Sequence, residues 1–76
     1  MSKLQTLRKN KGLSQNELSI LSNVNKRLIV AFENKERNID GSGLDKLIPL
    51  AITLNCKISD LIENEELIEQ CKKLGI

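Results

Sequence analysis

Histidine, tryptophan and tyrosine are absent from this chain, and Phe32 is its single aromatic residue. Without histidine, neither a Cys-His nucleophile nor a mixed zinc site can be assembled. The two cysteines, Cys56 and Cys71, have no second pair, and we expect both to be small core residues rather than a disulfide or a redox site. A glycine-rich phosphate loop and a paired nucleophile and base are also lacking. The sequence therefore predicts a protein that is not an enzyme and that holds no metal ion, cofactor or small-molecule ligand.

Long apolar runs are absent as well. No segment approaches the ~20 consecutive apolar residues of a membrane-spanning helix, and the N-terminus lacks the apolar stretch of a signal peptide. A basic amphipathic helix with aromatic anchors, which would bind a membrane surface, is missing too. We therefore expect a cytoplasmic protein without membrane contact.

Leucine and isoleucine at helical spacing dominate what is present. The 76 residues are enough for one domain with a small core, and 39 % of them are apolar. With almost no aromatic residues, that core must be built from aliphatic side chains on helices. The predicted fold class is therefore all-α.

Charge is divided unevenly along the chain. Residues 1–38 carry eight basic and three acidic side chains, a net charge of +5, whereas residues 39–76 carry four basic and seven acidic ones, a net charge of −3. This division favours one face for a polyanion and another for solvent or a protein partner. The alternative is an asymmetry of chance, which is common in small charged proteins.

Capping residues predict two short helices at the start of the chain. The first runs from about Ser2 to Lys11 and stops at Gly12, whose missing Cβ suits a left-handed cap. Ser14 is a good N-cap, and Glu17 can reach back to complete a capping box. A second helix therefore starts at Ser14 and runs to about Ser22.

A tight turn and a third helix follow. Leu18 and Leu21 are expected to face the core from the second helix. Asn23 tolerates the left-handed backbone of a sharp turn, and Asn25 offers the next N-cap. The third helix is predicted from about Lys26 to Asn34, so the pattern is helix, three-residue turn, helix.

The segment GLSQNELSILSNVNKRLIVAFENKERN resembles the helix-turn-helix of the Cro and Xre repressor family. The resemblance extends from Leu4 to about Ile62. It implies a five-helix repressor-like helix-turn-helix domain over residues 1–63. The matching positions are Ser14, Gln15, Glu17, Leu18, Val24, Ile29, Phe32, Glu33 and Asn34.

Three positions depart from the family pattern. Ser19 stands where a small apolar alanine is usual, and Asn23 stands for the glycine of the turn. Lys35 replaces the glycine that usually follows the third helix. It either adds a cation toward DNA or marks a third helix that ends in a different way.

The third helix has two unlike sides when its residues are placed at about 100° intervals. Ile29, Phe32 and Leu28 face the first two helices. The other side carries four residues that, by the resemblance, meet base edges in the DNA major groove: Lys26, Arg27, Val30 and Ala31. Lysine and arginine can donate to guanine, and the apolar pair can contact a thymine methyl group. The alternative is that the two cations are only solvated and that the apolar pair contacts another protein.

Phosphate contacts are expected on both sides of this helix. Ser14 and Gln15 lie at the positive end of the second helix, where free backbone N–H groups favour an anion. The resemblance places Asn34, Arg37 and Asn38 along the backbone of the opposite strand.

The resemblance also implies a structural ion pair between Arg8 and Glu33, which would lock the first helix to the third. The alternative is a surface pair that contributes little to stability.

The second half of the chain predicts further helices. Leucines from Leu44 onward indicate a fourth helix, and Pro49 requires it to start late, near Asp45, or to kink; the late start with a distorted first turn is favoured. Ser59 is expected to cap a fifth helix. An additional amphipathic helix over residues 64–76 either packs on the domain, which is favoured, or pairs with its copy in a dimer.

These observations together predict sequence-specific binding of double-stranded DNA by a transcription regulator. Repression by occlusion of polymerase is the simplest mechanism, and activation through a surface contact is the alternative. A homodimer on a two-fold related site is expected, because one subunit alone has a small footprint. The alternative is a protein-interaction module on a helix-turn-helix scaffold, such as an antitoxin or a phage-encoded inhibitor.

Overall fold

Five α-helices and two single 3-10 turns make up the chain in a computed structural model, which describes all 76 residues. The helices are α1 (Lys3–Asn10), α2 (Gln15–Ser22), α3 (Lys26–Glu33), α4 (Leu44–Leu54) and α5 (Glu65–Leu74). The 3-10 turns cover Ile39–Gly41 and Ile58–Asp60. The prediction of an all-α fold is confirmed.

The second and third helices begin after the predicted capping residues, Ser14 and Asn25. The Ser14 hydroxyl accepts a hydrogen bond from the backbone N–H of Glu17 (3.0 Å), and the Glu17 carboxylate accepts one from the backbone N–H of Ser14 (2.9 Å). This is the capping box, which satisfies two otherwise free donors. Asn23 has a left-handed φ of 58°, and the Asn25 side chain accepts from the backbone N–H of Arg27 (2.7 Å). Local capping chemistry therefore sets these boundaries.

The hydrogen bonds at the end of α3 show the role of Lys35. The backbone N–H of Glu36 donates to the carbonyl of Ala31 (2.9 Å), and that of Lys35 donates to the carbonyl of Phe32 (3.2 Å). This pair of bonds is the Schellman motif, which needs a left-handed residue after the helix. Lys35 supplies it at a φ of 61°. The helix thus ends in the usual way, with a lysine where glycine would be unstrained.

The core is aliphatic apart from Phe32. Its buried members come from the first four helices, the turns and the segment before α5: Leu4, Leu18, Val24, Ile29, Phe32, Ile39, Leu47, Leu50, Ala51, Leu54, Leu61 and Ile62. The prediction that Leu21 faces inward is wrong, because this side chain is 62 % exposed. Leu18 and Ser22 are the buried residues of α2, and Leu21 points about 80° away from the direction midway between them.

α4 begins at Leu44 and continues through Pro49. Gly43 precedes it with φ 83° and ψ 157°, a backbone region that is open essentially to glycine alone. Pro49 lies beyond the first turn of this helix. The prediction that a distorted first turn accommodates the proline is therefore wrong. The missing N–H leaves the carbonyl of Asp45 without its helical donor, and Asp45 is exposed to water.

The prediction of a helix that starts at Ser59 is wrong. Ser59 is buried inside the Ile58–Asp60 turn and is not an N-cap. The Asp40 carboxylate accepts from the backbone N–H groups of Glu63 (2.8 Å) and Asn64 (3.0 Å). These bonds redirect the chain into α5, so no helix propagates between the turn and residue 64.

Lys3 ties the start of the chain to this same segment. Its ammonium group donates to the carbonyls of Ser59 (2.9 Å) and Ile62 (2.8 Å), and its backbone N–H donates to the Glu63 carboxylate (3.0 Å). The ammonium group thus satisfies two carbonyls that would otherwise be left at the end of a 3-10 turn. The 59–63 segment is therefore held from both α1 and Asp40.

α5 packs on the domain. Asn64 caps it by accepting from the backbone N–H of Leu67 (3.1 Å), and Gly75 ends it with a φ of 77°. Ile68 and Cys71 lie against the core, and both cysteines are free. None of the five helices has the length and apolar content that crossing a membrane requires.

We predict that Lys35→Gly stabilises the protein. Removing Cβ relieves the left-handed backbone, and we expect the free energy of unfolding to rise by about 1 kcal/mol in urea titrations. Lys35→Ala is the matched control, because it removes the same charge but keeps Cβ. A gain in both variants would point to the charge instead of the backbone.

Glu17 makes the capping box sensitive to pH. The backbone N–H of Ser14, and then its hydroxyl, hold the pKa of the Glu17 carboxyl below its ordinary value of 4.5. Because the folded pKa is the lower one, this stabilisation is complete above pH 4.5 and is lost as pH falls through the folded pKa. We expect the difference in stability between wild type and Glu17→Gln to be constant near neutral pH and to decline in acid. A pH-independent difference would contradict this assignment.

Candidate nucleic-acid interface

A buried ion pair joins α1 to α3. The Arg8 guanidinium donates through Nε to Oε2 of Glu33 (2.7 Å) and through Nη2 to Oε1 (3.0 Å). A third donor, Nη1, reaches the carbonyl of Leu13 (2.8 Å). Both charged side chains are almost wholly removed from water. The two-pronged geometry is that of a strong arginine-carboxylate pair.

Gln15 brings α2 into the same network. Its Nε2 donates to Oε1 of Glu33 (3.0 Å), so one carboxylate on α3 receives side chains from both α1 and α2. This contact was not predicted from the sequence. Gln15 and Glu33 are the first residue of α2 and the last of α3, and only the packing of these helices brings the two ends together.

The start of α2 presents free backbone donors. The N–H of Glu17 is satisfied by Ser14, whereas the N–H groups of Gln15 and Asn16 have no acceptor in the chain. They lie at the positive end of the helix dipole, beside the one Gln15 amide N–H that Glu33 does not use. The predicted phosphate residues Ser14 and Gln15 therefore stand where an anion can be bound by several donors.

The outer side of α3 is accessible. Lys26 and Arg27 are exposed and form no ion pair, and Val30 and Ala31 are half-buried between them and the core. Two shallow depressions flank Arg27. One is lined by Lys26 and Val30, and the other by Ala31 and Arg37. The four residues predicted to meet bases thus share one open surface, which α5 does not cover.

The three residues after α3 that were predicted to contact phosphates differ in how freely they can donate hydrogen bonds. Arg37 is exposed and shares a depression with Arg27. The side-chain amide of Asn34 donates to the Glu36 carboxylate (3.3 Å), and the side-chain oxygen of Asn38, Oδ1, accepts from the backbone N–H of Asp40 (3.0 Å). Asn38 keeps its amide N–H groups free, whereas Asn34 has a carboxylate beside it. Among the three predicted phosphate residues, Arg37 is therefore the best placed.

Comparison of the chain with protein-family models, with curated proteins and with solved structures finds no match. The likeness to the Cro and Xre family therefore stays a prediction from the motif.

The Arg8–Glu33 network predicts a distinctive pattern of stability. Removing one partner leaves the other charge buried and unpaired, so Arg8→Met and Glu33→Leu should each lower the free energy of unfolding by about 3 kcal/mol or more. The double variant replaces both charges by apolar side chains of similar size and should lose less than either single variant. Urea unfolding gives the free energy of unfolding of wild type, of both single variants and of the double variant. Losses that simply add in the double variant would show that the charges do not depend on each other.

Proposed function

We propose that the chain is a sequence-specific DNA-binding protein that regulates transcription, with α3 in the major groove of double-stranded DNA. The observation that carries this proposal is the outer side of α3. Lys26 and Arg27 project there without partners, next to Val30 and Ala31. Unpaired cations beside small apolar side chains, on one exposed side of a rigidly held helix, match the donor and methyl pattern of base edges.

The dimensions of α3 suit the groove. Its eight residues span about 12 Å at a rise of ~1.5 Å each, and the major groove of B-form DNA is about 12 Å wide. Lys26 and Arg27, in the first turn, donate to guanine O6 and N7. Val30 and Ala31 contact thymine methyl groups one turn later.

Backbone phosphates on the two strands fix the depth and register of α3. On one strand, the free N–H groups of Gln15 and Asn16 bind a phosphate, assisted by the Gln15 amide and the Ser14 hydroxyl. On the other, Arg37 and Asn38 provide the donors. Because Glu33 orients Gln15 (3.0 Å), the phosphate donor and the base-reading helix are held by the same carboxylate. Contacts of this kind position the protein and carry no sequence information.

We place this activity in a homodimeric repressor. A homodimer reads two half-sites about 34–36 Å apart, which is one turn of the duplex. Occupancy of such a site blocks polymerase, so the regulator acts as a repressor in the cytoplasm. The proposal requires no cofactor and no small-molecule ligand.

Salt dependence tests the proposal. Affinity for a pool of random-sequence duplexes, measured by fluorescence anisotropy, should fall steeply between about 50 and 200 mM salt as counterions are released. Selection from that pool should then return a preferred half-site. Lys26→Ala/Arg27→Ala should lower the affinity for that half-site about tenfold or more relative to random DNA. Gln15→Ala should weaken binding to all sequences alike.

Lys72→Ala/Lys73→Ala is the matched control. It removes two neighbouring exposed cations from the last turn of α5, so the change in net charge is the same but the site is remote. We expect a small and sequence-independent loss. Equal losses from both double variants, or no salt-dependent binding at all, would contradict the proposal and favour the protein-interaction module.

A further inference from the structure

A cavity of about 240 Å³ lies between the start of α1, the end of α3 with the residues that follow it, and the segment before α5. Its lining residues come from three stretches that are far apart in sequence, residues 2–4, 32–39 and 63. A site assembled in this way has no sequence motif, so the prediction of no small-molecule ligand could not include it. None of the four residues proposed to meet bases lines this cavity.

Hydrogen bonds hold the three stretches together, so the cavity exists before any ligand binds. The backbone N–H of Lys3 donates to the Glu63 carboxylate (3.0 Å). The Asp40 carboxylate, next to Ile39, accepts from the backbone N–H of Glu63 (2.8 Å). A preformed site spares a ligand most of the cost of ordering the residues that it contacts.

The lining of the cavity combines an apolar base with a positively charged rim. Lys35 and Arg37 at the rim are exposed and form no ion pair. Glu63 is the one acidic lining residue, so two cations and one carboxylate leave a net charge of +1. One oxygen of Glu63 already accepts from the backbone of Lys3. The base consists of three core residues: Leu4, Phe32 and Ile39. This lining favours a ligand that is both apolar and anionic.

We propose that this cavity binds a small carboxylic acid with an aromatic or branched aliphatic body, and that the bound acid weakens the binding of DNA. The body packs on Phe32 and Ile39, and the carboxylate accepts hydrogen bonds from Lys35 and Arg37. The effect on DNA rests on the proposed function, whereas the binding of the acid does not.

The backbone of Lys35 supports a role at this cavity. Lys35 has a left-handed φ of 61°, which glycine adopts without strain. The Schellman motif at the end of α3 needs that backbone conformation but no side chain, so the lysine contributes nothing to the cap. Strained residues cluster at ligand sites, where the side chain has a use that offsets the strain. Because this side chain lines the cavity, binding an anion is the use that the structure offers it.

The volume of the cavity limits the size of the ligand. Drug-sized ligands occupy pockets of roughly 300–1,000 Å³, whereas the cavity of about 240 Å³ suits a molecule of about ten non-hydrogen atoms. A carboxylate fits the forked donors of an arginine and leaves the remaining atoms for the apolar base. With so few atoms in contact, we expect a dissociation constant of roughly 0.1–1 mM.

Arg37 couples the cavity to the DNA-binding surface. It lines both the cavity and the depression beside Arg27 on the outer side of α3. Asn38, the other phosphate donor proposed after α3, lines the cavity as well. A carboxylate on Arg37 takes up part of its donors and neutralises its charge, so the same side chain binds a phosphate less well. By linkage, DNA must weaken the binding of the acid by the same factor.

Titrations without DNA test the cavity itself, with 3-phenylpropionate as the probe and ¹H–¹⁵N correlation spectra as the readout. We expect saturable shifts that centre on Leu4, Ile39 and Glu63. The neutral 3-phenylpropionamide, which lacks the charge, and acetate, which lacks the apolar body, should each bind about tenfold more weakly or less. Equal binding of acid and amide, or no saturable shifts at these residues, would overturn the proposal.

The matched variants are Lys35→Gln/Arg37→Gln and Lys72→Gln/Lys73→Gln. Both remove two exposed cations, but Lys72 and Lys73 do not line the cavity. The first variant should bind 3-phenylpropionate about tenfold more weakly than wild type, and the second should bind it as wild type does. The same spectra show that each variant is folded. Equal affinities of the two variants would show that the rim cations do not hold the acid.

Fluorescence anisotropy with duplex DNA tests the coupling. At a concentration of 3-phenylpropionate well above its dissociation constant, the affinity of wild type for DNA should fall about threefold or more. An equal concentration of acetate keeps the ionic strength the same and should leave the affinity unchanged. Binding of the probe without any loss of DNA affinity would overturn the regulatory part. Failure of wild type to bind DNA would defeat the proposed function alone, because the spectra still decide whether the cavity binds the acid.

Discussion

The carboxylate of Glu33 is the point on which the arrangement of the first three helices depends. It accepts from Arg8 on α1 and from Gln15 on α2 while it sits at the end of α3. A buried charge must be paired and hydrogen-bonded, and no buried side-chain polar atom in the chain lacks a partner. The angle between α2 and α3 is therefore set by polar geometry as well as by the aliphatic core. That angle sets the orientation of the outer side of α3 relative to the backbone donors at the start of α2.

Boundaries that depend on neighbours in sequence were the most predictable part of the fold. Ser14 with Glu17, and Asn25, act through hydrogen bonds that close within a few residues, so the sequence alone predicts them. Leu21 and Ser59 were predicted wrongly because distant residues decide their surroundings. The direction of the core relative to α2, and the contact of Asp40 with the backbone of residues 63 and 64, do not appear in any local pattern.

The candidate site likewise has features that the sequence predicts and features that only the packing of the helices determines. Helical periodicity separates Arg27 and Val30 from Ile29 and Phe32, because the side that a residue occupies is a property of the helix itself. The bond between Gln15 and Glu33 joins the ends of two helices and requires their packed arrangement. The carboxylate of Glu36 beside Asn34 likewise follows from the shape of the turn after α3. Sequence patterns thus predicted which residues are presented, and the packing determined which of their atoms remain free.

The attachment of Lys3 has a consequence for biosynthesis. Lys3 is synthesised well before its partners, which are the carbonyls of Ser59 and Ile62 and the carboxylate of Glu63. α1 can form early, but its anchorage must wait until residues 59–63 have been translated. Contacts between such distant positions carry a large loop-closure entropy and form late. During synthesis, α1 therefore stays unanchored until the segment that holds it has left the ribosome.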